Sequence, residues 1–197
     1  MTAIRHLYWD SCVFLAYLND ERSSYGNAID YIYQFLDEAR QGECAIYSSS
    51  LTLAEITRKH LLNNSFGSFE DFLKDFQGAV ILVDPSPPIM LTAGHLRGME
   101  YTKGSGKRPL ATPDAIHLAT ALALEGYGVS LTALHSFDRG RGGKYVPIVG
   151  FEDWCGGCMN DFVVSRVVAM NREPPIHPSP MLNVGTAKRP RRAIDLR

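Results

Sequence analysis

No apolar run in this chain approaches the roughly 20 residues that a membrane-crossing helix needs. The opening MTAIRHLYWD also lacks the apolar core, roughly 7 to 15 residues long, that marks a signal peptide. A protein with no membrane span, working in the cytoplasm, is therefore expected. Charge of one sign is missing too: 20 Lys and Arg stand against 21 Asp and Glu, for a net charge of −1. That excludes a protein coated with positive charge for nucleic acid and leaves room only for a focused basic patch. Cysteine is scarce, with four in all, which excludes a disulfide scaffold. Cys12 and Cys44 lie among apolar residues and read as core thiols. Cys155 and Cys158 form a single CGGC pair, half of a zinc site, which would need further ligands such as His177 and is more simply a Gly-rich turn. No internal repeat is present.

What is there is ordinary for a globular domain: 45% hydrophobic and 21% charged residues in a chain of 197, enough for one domain with a sizeable core and an appendage. The most informative stretch is RPLATPDAIHLATALALEGYGVSLTALHSFD, from Arg108 to Asp138. Thr112 is a good N-cap and Pro113 suits the first helical position, so Asp114 falls in the first turn, where the free N–H groups favour a carboxylate. Ile116, Leu118, Ala119, Leu122 and Ala123 give the helix a buried face, and Gly126 and Gly128 stop it before a short strand, VSLTA. A helix leading into a strand of a parallel sheet runs antiparallel to it. The helix start and the strand end then share one edge, and Asp114 and Asp138 should be neighbours.

Earlier in the chain, RHLYW reads as a strand ending at Asp10, followed by the apolar helix SCVFLAYL with Ser11 near its start. Asp10 is equally well placed as a helix cap. A second helix is expected from Ser24 to Gln41, then the strand CAIYSSS, then the helix LTLAEITRKHLL with Glu55 near its beginning. Residues 65–76 show phenylalanines spaced for one helical face, and AVILVD reads as a buried strand. A helix through Met90 to Tyr101 follows, then a flexible basic loop, KGSGKRPLAT, which is not a full P-loop and has no strand directly before it. YVPIV is the expected last strand, closing a domain of residues 1–150. Residues 151–172 form an extra element, helix or strand, and residues 173–197 an extended, basic, Pro-rich tail that cannot build a core.

Strands alternating with helices imply a three-layer α/β/α fold with a mostly parallel sheet, and such sheets bind ligands outside the C-terminal ends of their strands. Asp10, Glu55, Asp114 and Asp138 all fall on that rim. Carboxylates packed together repel unless a cation neutralises them, and a set of oxygen ligands without His or Cys selects hard ions such as Mg²⁺ or Mn²⁺. Ions of that kind suit phosphodiester hydrolysis. Lys103, Lys107, Arg108, Arg139, Arg141 and Lys144, in the loops on either side, are candidates to hold backbone phosphates, though each also fits an ordinary polar loop.

WDSCVFLAYL, SSLTLAEITR, ATPDAIHLATAL and the acid after VSLTA together resemble the PIN-domain ribonucleases, in particular the VapC-like toxins of toxin–antitoxin pairs, over residues 5–150. The resemblance implies a PIN-like fold and a metal-dependent endoribonuclease. Asp10 and Asp114 would carry Mg²⁺ or Mn²⁺, Glu55 and Asp138 would complete the catalytic set, and Ser11 and Thr132 would support it. It also implies an RNA substrate and a protein antitoxin. One departure stands out: an acid is expected two residues after the Thr that ends the fourth strand, and Leu134 occupies that place while Asp138 lies further on. The alternative is a degenerate PIN domain that binds RNA or protein without cutting. His135 and Ser136 are further candidates to orient water. The phenylalanine-rich helix supplies apolar surface for a homodimer.

Overall fold

The computed structural model describes residues 4–62, 69–140 and 142–176. The chain opens with β1 (Arg5–Trp9), α1 (Ser11–Leu18), α2 (Arg22–Tyr25), α3 (Ala28–Arg40) and β2 (Cys44–Ser49). It continues through α4 (Leu51–Glu55), α5 (Arg58–Leu62), α6 (Phe69–Phe76) and β3 (Val80–Val83). Then come α7 (Pro87–Gly98), the strands β4 (Tyr101–Lys103) and β5 (Gly106–Arg108), α8 (Thr112–Gly126) and β6 (Ala133–His135). A 3-10 turn (Phe151–Trp154), α9 (Phe162–Ala169) and β7 (Arg172–Glu173) end the described chain.

The main sheet has five strands in the order β3-β2-β1-β6-β7, every neighbouring pair parallel. From β1 the chain winds outward to β3, then crosses back to β6 and β7 on the other side. The reversal beside β1 opens a crevice at the C-terminal ends of β1 and β6, the place where an open parallel sheet takes its ligands. Alternation along β1 splits the core in two. Leu7 and Trp9 face a cluster with α1, α3 and Phe72 and Phe76 of α6, while Tyr8 faces a second cluster with α7, α8 and α9. The three-layer α/β/α fold expected from the sequence is the one observed.

Several local expectations are corrected. Thr112 lies inside α8, whose N-cap is Ala111, and Ala115 N–H closes the first turn on the Ala111 carbonyl at 3.0 Å. The segment after Lys103 is a β-hairpin with Gly104 at φ +58° in its turn, so the basic stretch is a fixed structure. The strand expected at 129–133 begins at Ala133 instead, with the Thr132 N–H, just before it, donating to the His6 carbonyl of β1 at 2.7 Å. YVPIV is not a strand. Pro147 has no N–H to give a ladder, and the amides of Val146 and Val149 bond to the Pro109 and Asp138 carbonyls at 3.1 and 3.0 Å. The edge place falls to β7.

The described part of the segment after Gly150 therefore belongs to the core. Phe151, Trp154, Val164, Val167 and Met170 are buried with α7 and α8. The ambiguous DFVVSRVVAM is helix α9, capped by Asp161, whose carboxylate accepts the Val163 and Val164 N–H groups at 2.9 Å. Arg172 locks the return, bonding the Ile148 carbonyl (3.2 Å), the Met170 carbonyl (2.7 Å) and Glu152 (2.7 Å). The CGGC segment is a turn closed by Cys158 N–H on the Cys155 carbonyl at 2.9 Å. His177 and most of the expected tail lie outside the described residues. Phe72 and Phe76 pack inward against each other and Phe14, with ring centroids 4.8 and 5.2 Å apart, so much of that stripe serves the chain's own core.

Truncation after Gly150 is expected to abolish cooperative unfolding, whereas Leu134→Ala, at a fully buried position, should cost about 2–5 kcal/mol and leave a folded protein. Urea denaturation followed by circular dichroism measures both. Cooperative unfolding of the truncated chain would show that the core closes without α9 and β7.

Candidate active site

Asp10 follows β1 directly and is 3% exposed. Its N–H donates to the His135 carbonyl at 3.2 Å, continuing the β1–β6 pairing one step beyond Trp9 and His135, so Ser136 comes to lie beside it. One Asp10 oxygen accepts the Cys12 N–H at 2.8 Å and caps α1, so the capping role and the place on the rim coexist. Burial raises the Asp10 pKa from its ordinary value, against the opposing pull of His117 and of hydrogen bonds from Cys12 and Ser136.

Glu55 ends the short helix α4 after β2. Its Oε2 lies 3.1 Å from Nε2 of His117, while Nδ1 of the same ring lies 2.9 Å from the Tyr8 hydroxyl. Tyr8 in turn accepts the Ser49 N–H at 3.1 Å. This chain of bonds ties β1, β2, α4 and α8 together through a histidine that is 1% exposed. For Glu55, burial pushes the pKa up, but the hydrogen bonds from His117 and Ser11 outweigh it and hold the carboxyl below its usual value. Ser11 therefore reaches the site as expected.

Asp114 lies in the first turn of α8. Its pKa is pushed up to about 8, first by burial and then by Asp138, Asp10 and Glu55. Asp114 thus stands within electrostatic reach of the other three acids, at the edge where the strand order reverses. Asp138 follows β6 by three residues and is held by its own loop: Oδ1 accepts Gly140 N–H at 2.9 Å, Oδ2 accepts Ile148 N–H at 3.1 Å, and Ser136 Oγ takes the Asp138 N–H at 2.9 Å. Thr132 sits at the opposite end of β6, beside His6, and takes no part in the crevice. His135 is a core residue. Trp9 donates to its Nδ1 at 3.2 Å, and burial, followed by Arg5, drives its pKa down to about 3, so it stays neutral and dry.

The basic candidates separate. Lys103 pairs with Asp153 at 2.7 Å and Lys107 pairs with Glu100. Arg108 stacks on Trp154, its guanidinium carbon 4.4 Å from the ring centroid, and Arg139 is exposed. Arg141 lies outside the described residues.

All the rim donors are oxygens, which fits a hard divalent ion in chemistry. Among the described residues no three His, Cys, Asp or Glu side chains are grouped as a ready metal site. The sequence reading missed Tyr8, His117 and Trp154. His117 was within reach of it, because a residue three after Asp114 lies on the same helix face.

Fold and site together define a parallel α/β/α protein with acids gathered at the C-terminal edge of its sheet, beside the switch point. No family model matches the chain, and no curated protein does. Among solved structures the chain is similar to one in the crystal structure of VapBC2 from Rickettsia felis bound to a DNA fragment from their promoter. The identity is 17%, over 66% of this chain and 86% of that one, with a TM-score of 0.41. At that score the likeness carries no argument about the site.

The Asp114 shift fixes a sign. A carboxyl near 4 when unfolded and near 8 when folded binds more protons in the native state between those values, so stability falls as pH rises through that window. Without divalent metal, Tm should decline between pH 5 and 8, and Asp114→Asn should remove most of the decline while raising Tm at pH 8. An identical slope in the variant would remove Asp114 as its source.

Proposed function

We propose that the crevice is the active site of a divalent-metal-dependent endoribonuclease that hydrolyses RNA phosphodiester bonds. The observation that carries this reading is the placement of four acids at one edge of the parallel sheet, Asp10 after β1, Glu55 in the helix after β2, Asp114 in the first turn of α8 and Asp138 after β6, near enough for the other three to help burial push the Asp114 carboxyl up to about 8. Such a cluster is relieved by a hard cation far better than by water. Asp10 and Asp114 would hold Mg²⁺ or Mn²⁺, with Glu55 and Asp138 at the margin. When bound, the ion supplies charge neutralisation at the phosphate and makes water a better nucleophile at neutral pH.

The chain's own residues set the rest. Glu55, kept ionised by His117 and Ser11, is suited to hold a cation or orient a water by accepting its hydrogen bond. His117 holds it in place through a ring fixed at its other nitrogen by Tyr8. The buried wall formed by Tyr8 and α8 keeps water from the back of the crevice.

The sequence resemblance adds a finer reading: the toxin of a toxin–antitoxin pair, with an antitoxin Arg placed among the carboxylates, and a homodimer measurable by light scattering. One observation favours a second function. Both Asp138 oxygens are taken by backbone N–H groups of its own loop, which suits a degenerate domain that binds RNA or protein without cutting. Calorimetry separates the two, since the binding reading requires no divalent uptake at millimolar metal.

Single-stranded RNA should be cleaved with Mg²⁺ or Mn²⁺ and left intact with EDTA. Asp10→Asn and Asp114→Asn should each slow cleavage by at least about 100-fold, and His117→Phe by about 10- to 100-fold. Activity unchanged in both aspartate variants would overturn the assignment.

A further inference from the structure

A cavity of about 520 Å³ lies between the β4–β5 hairpin, the loop after Asp138 and the 3-10 turn that carries Trp154. Its lining includes Lys103, Arg108, Arg139, Gly140, Asp153 and Trp154. Lys103 and Asp153 neutralise each other at 2.7 Å. Among the described residues neither Arg108 nor Arg139 is paired with a carboxylate, so they give the cavity a net positive character.

The Arg108 guanidinium is built in. It lies 4.4 Å above the Trp154 ring, and its Nη1 donates to the Tyr145 carbonyl at 3.4 Å. Two glycines let the loop pass close over it. At Gly140 (φ +71°) a Cβ would come within 3.3 Å of Pro147 and 3.4 Å of Nη1, and at Gly143 (φ +69°) within 3.4 Å of Nη2. Stacking restrains the planar fork before any ligand arrives, which reduces the ordering cost of a bidentate contact. Arg139 stands at the rim, one residue from Asp138. Arg139 directly follows Asp138 in the chain, and β5 leads into α8, whose first turn carries Asp114.

We propose that this cavity is a phosphate subsite that holds the RNA backbone on one side of the cleaved bond, with Arg108 as the fixed fork and Arg139 as the outer clamp. It rests on the nuclease reading only in taking RNA as the polyanion. Trp154, which lies beyond residue 150, supplies its floor, so the subsite depends on the segment that also closes the sheet.

The test is metal-free binding of a labelled single-stranded oligoribonucleotide in EDTA, measured across a salt series, beside Mg²⁺-dependent cleavage of the same RNA. For single strands, removing one charged group from a backbone phosphate lowers the slope of log affinity against log salt by about 0.7. Arg108→Gln and Arg139→Gln should each lower the slope by about that much, and together by about 1.4, while Arg40→Gln on α3 leaves it unchanged. Arg139 is exposed, so its variant keeps the test decisive if Arg108→Gln fails to fold. A lowered slope without any cleavage would uphold the subsite and overturn the nuclease. Cleavage with an unchanged slope in both variants would overturn the subsite and leave the nuclease standing. No metal-free RNA binding at low salt would also overturn the subsite. If hexaglutamate binds through Arg108 and Arg139 while the RNA slope stays unchanged, the cavity belongs to an acidic protein and the proposal falls.

Discussion

Asp10, Glu55, Asp114 and Asp138 crowd like charges into a partly dry crevice, and each acid is accommodated by a different local device. Asp10 caps a helix and takes bonds from Cys12 and Ser136. Glu55 leans on His117 and Ser11. Asp138 is wrapped by the amides of its own loop. Asp114 lacks comparable relief and accordingly carries the large upward shift. The rest of the fold reads as support for this arrangement. A buried Tyr8–His117 bond spans from the central strand to α8, and the switch in strand order opens the space above it.

Much of this was legible in the residues. Periodicity placed the three layers, and turn chemistry together with the rule that parallel sheets bind at their C-terminal edges placed the acids on one rim. Thr132 misled because a strand's boundaries depend on what pairs with it. β6 starts four residues later than Val129 and ends at His135, so Asp138 lies closer to the strand end than counting suggests. His135 was misread for a related reason, since a residue assigned to a loop proved to be a buried strand residue bonded to Trp9.

The C-terminal segment was the least readable part. Paired valines in α9 fit neither period cleanly, and a strand as short as Arg172–Glu173 leaves almost no pattern. What fixes the strand is one arginine side chain bonded to three separate pieces of chain, a tertiary fact with no local signature. The basic hairpin was hidden similarly: GSGK reads as flexible until Tyr101 is seen packed against Phe151, with centroids 5.2 Å apart.

The grip of Asp138 on Gly140 and Ile148 gives one position two constituencies. The loop that its carboxylate gathers also passes over Arg108, with Gly140 and Gly143 close against the guanidinium. One carboxylate thus orders the backbone on which both the acidic edge and the basic cavity are built.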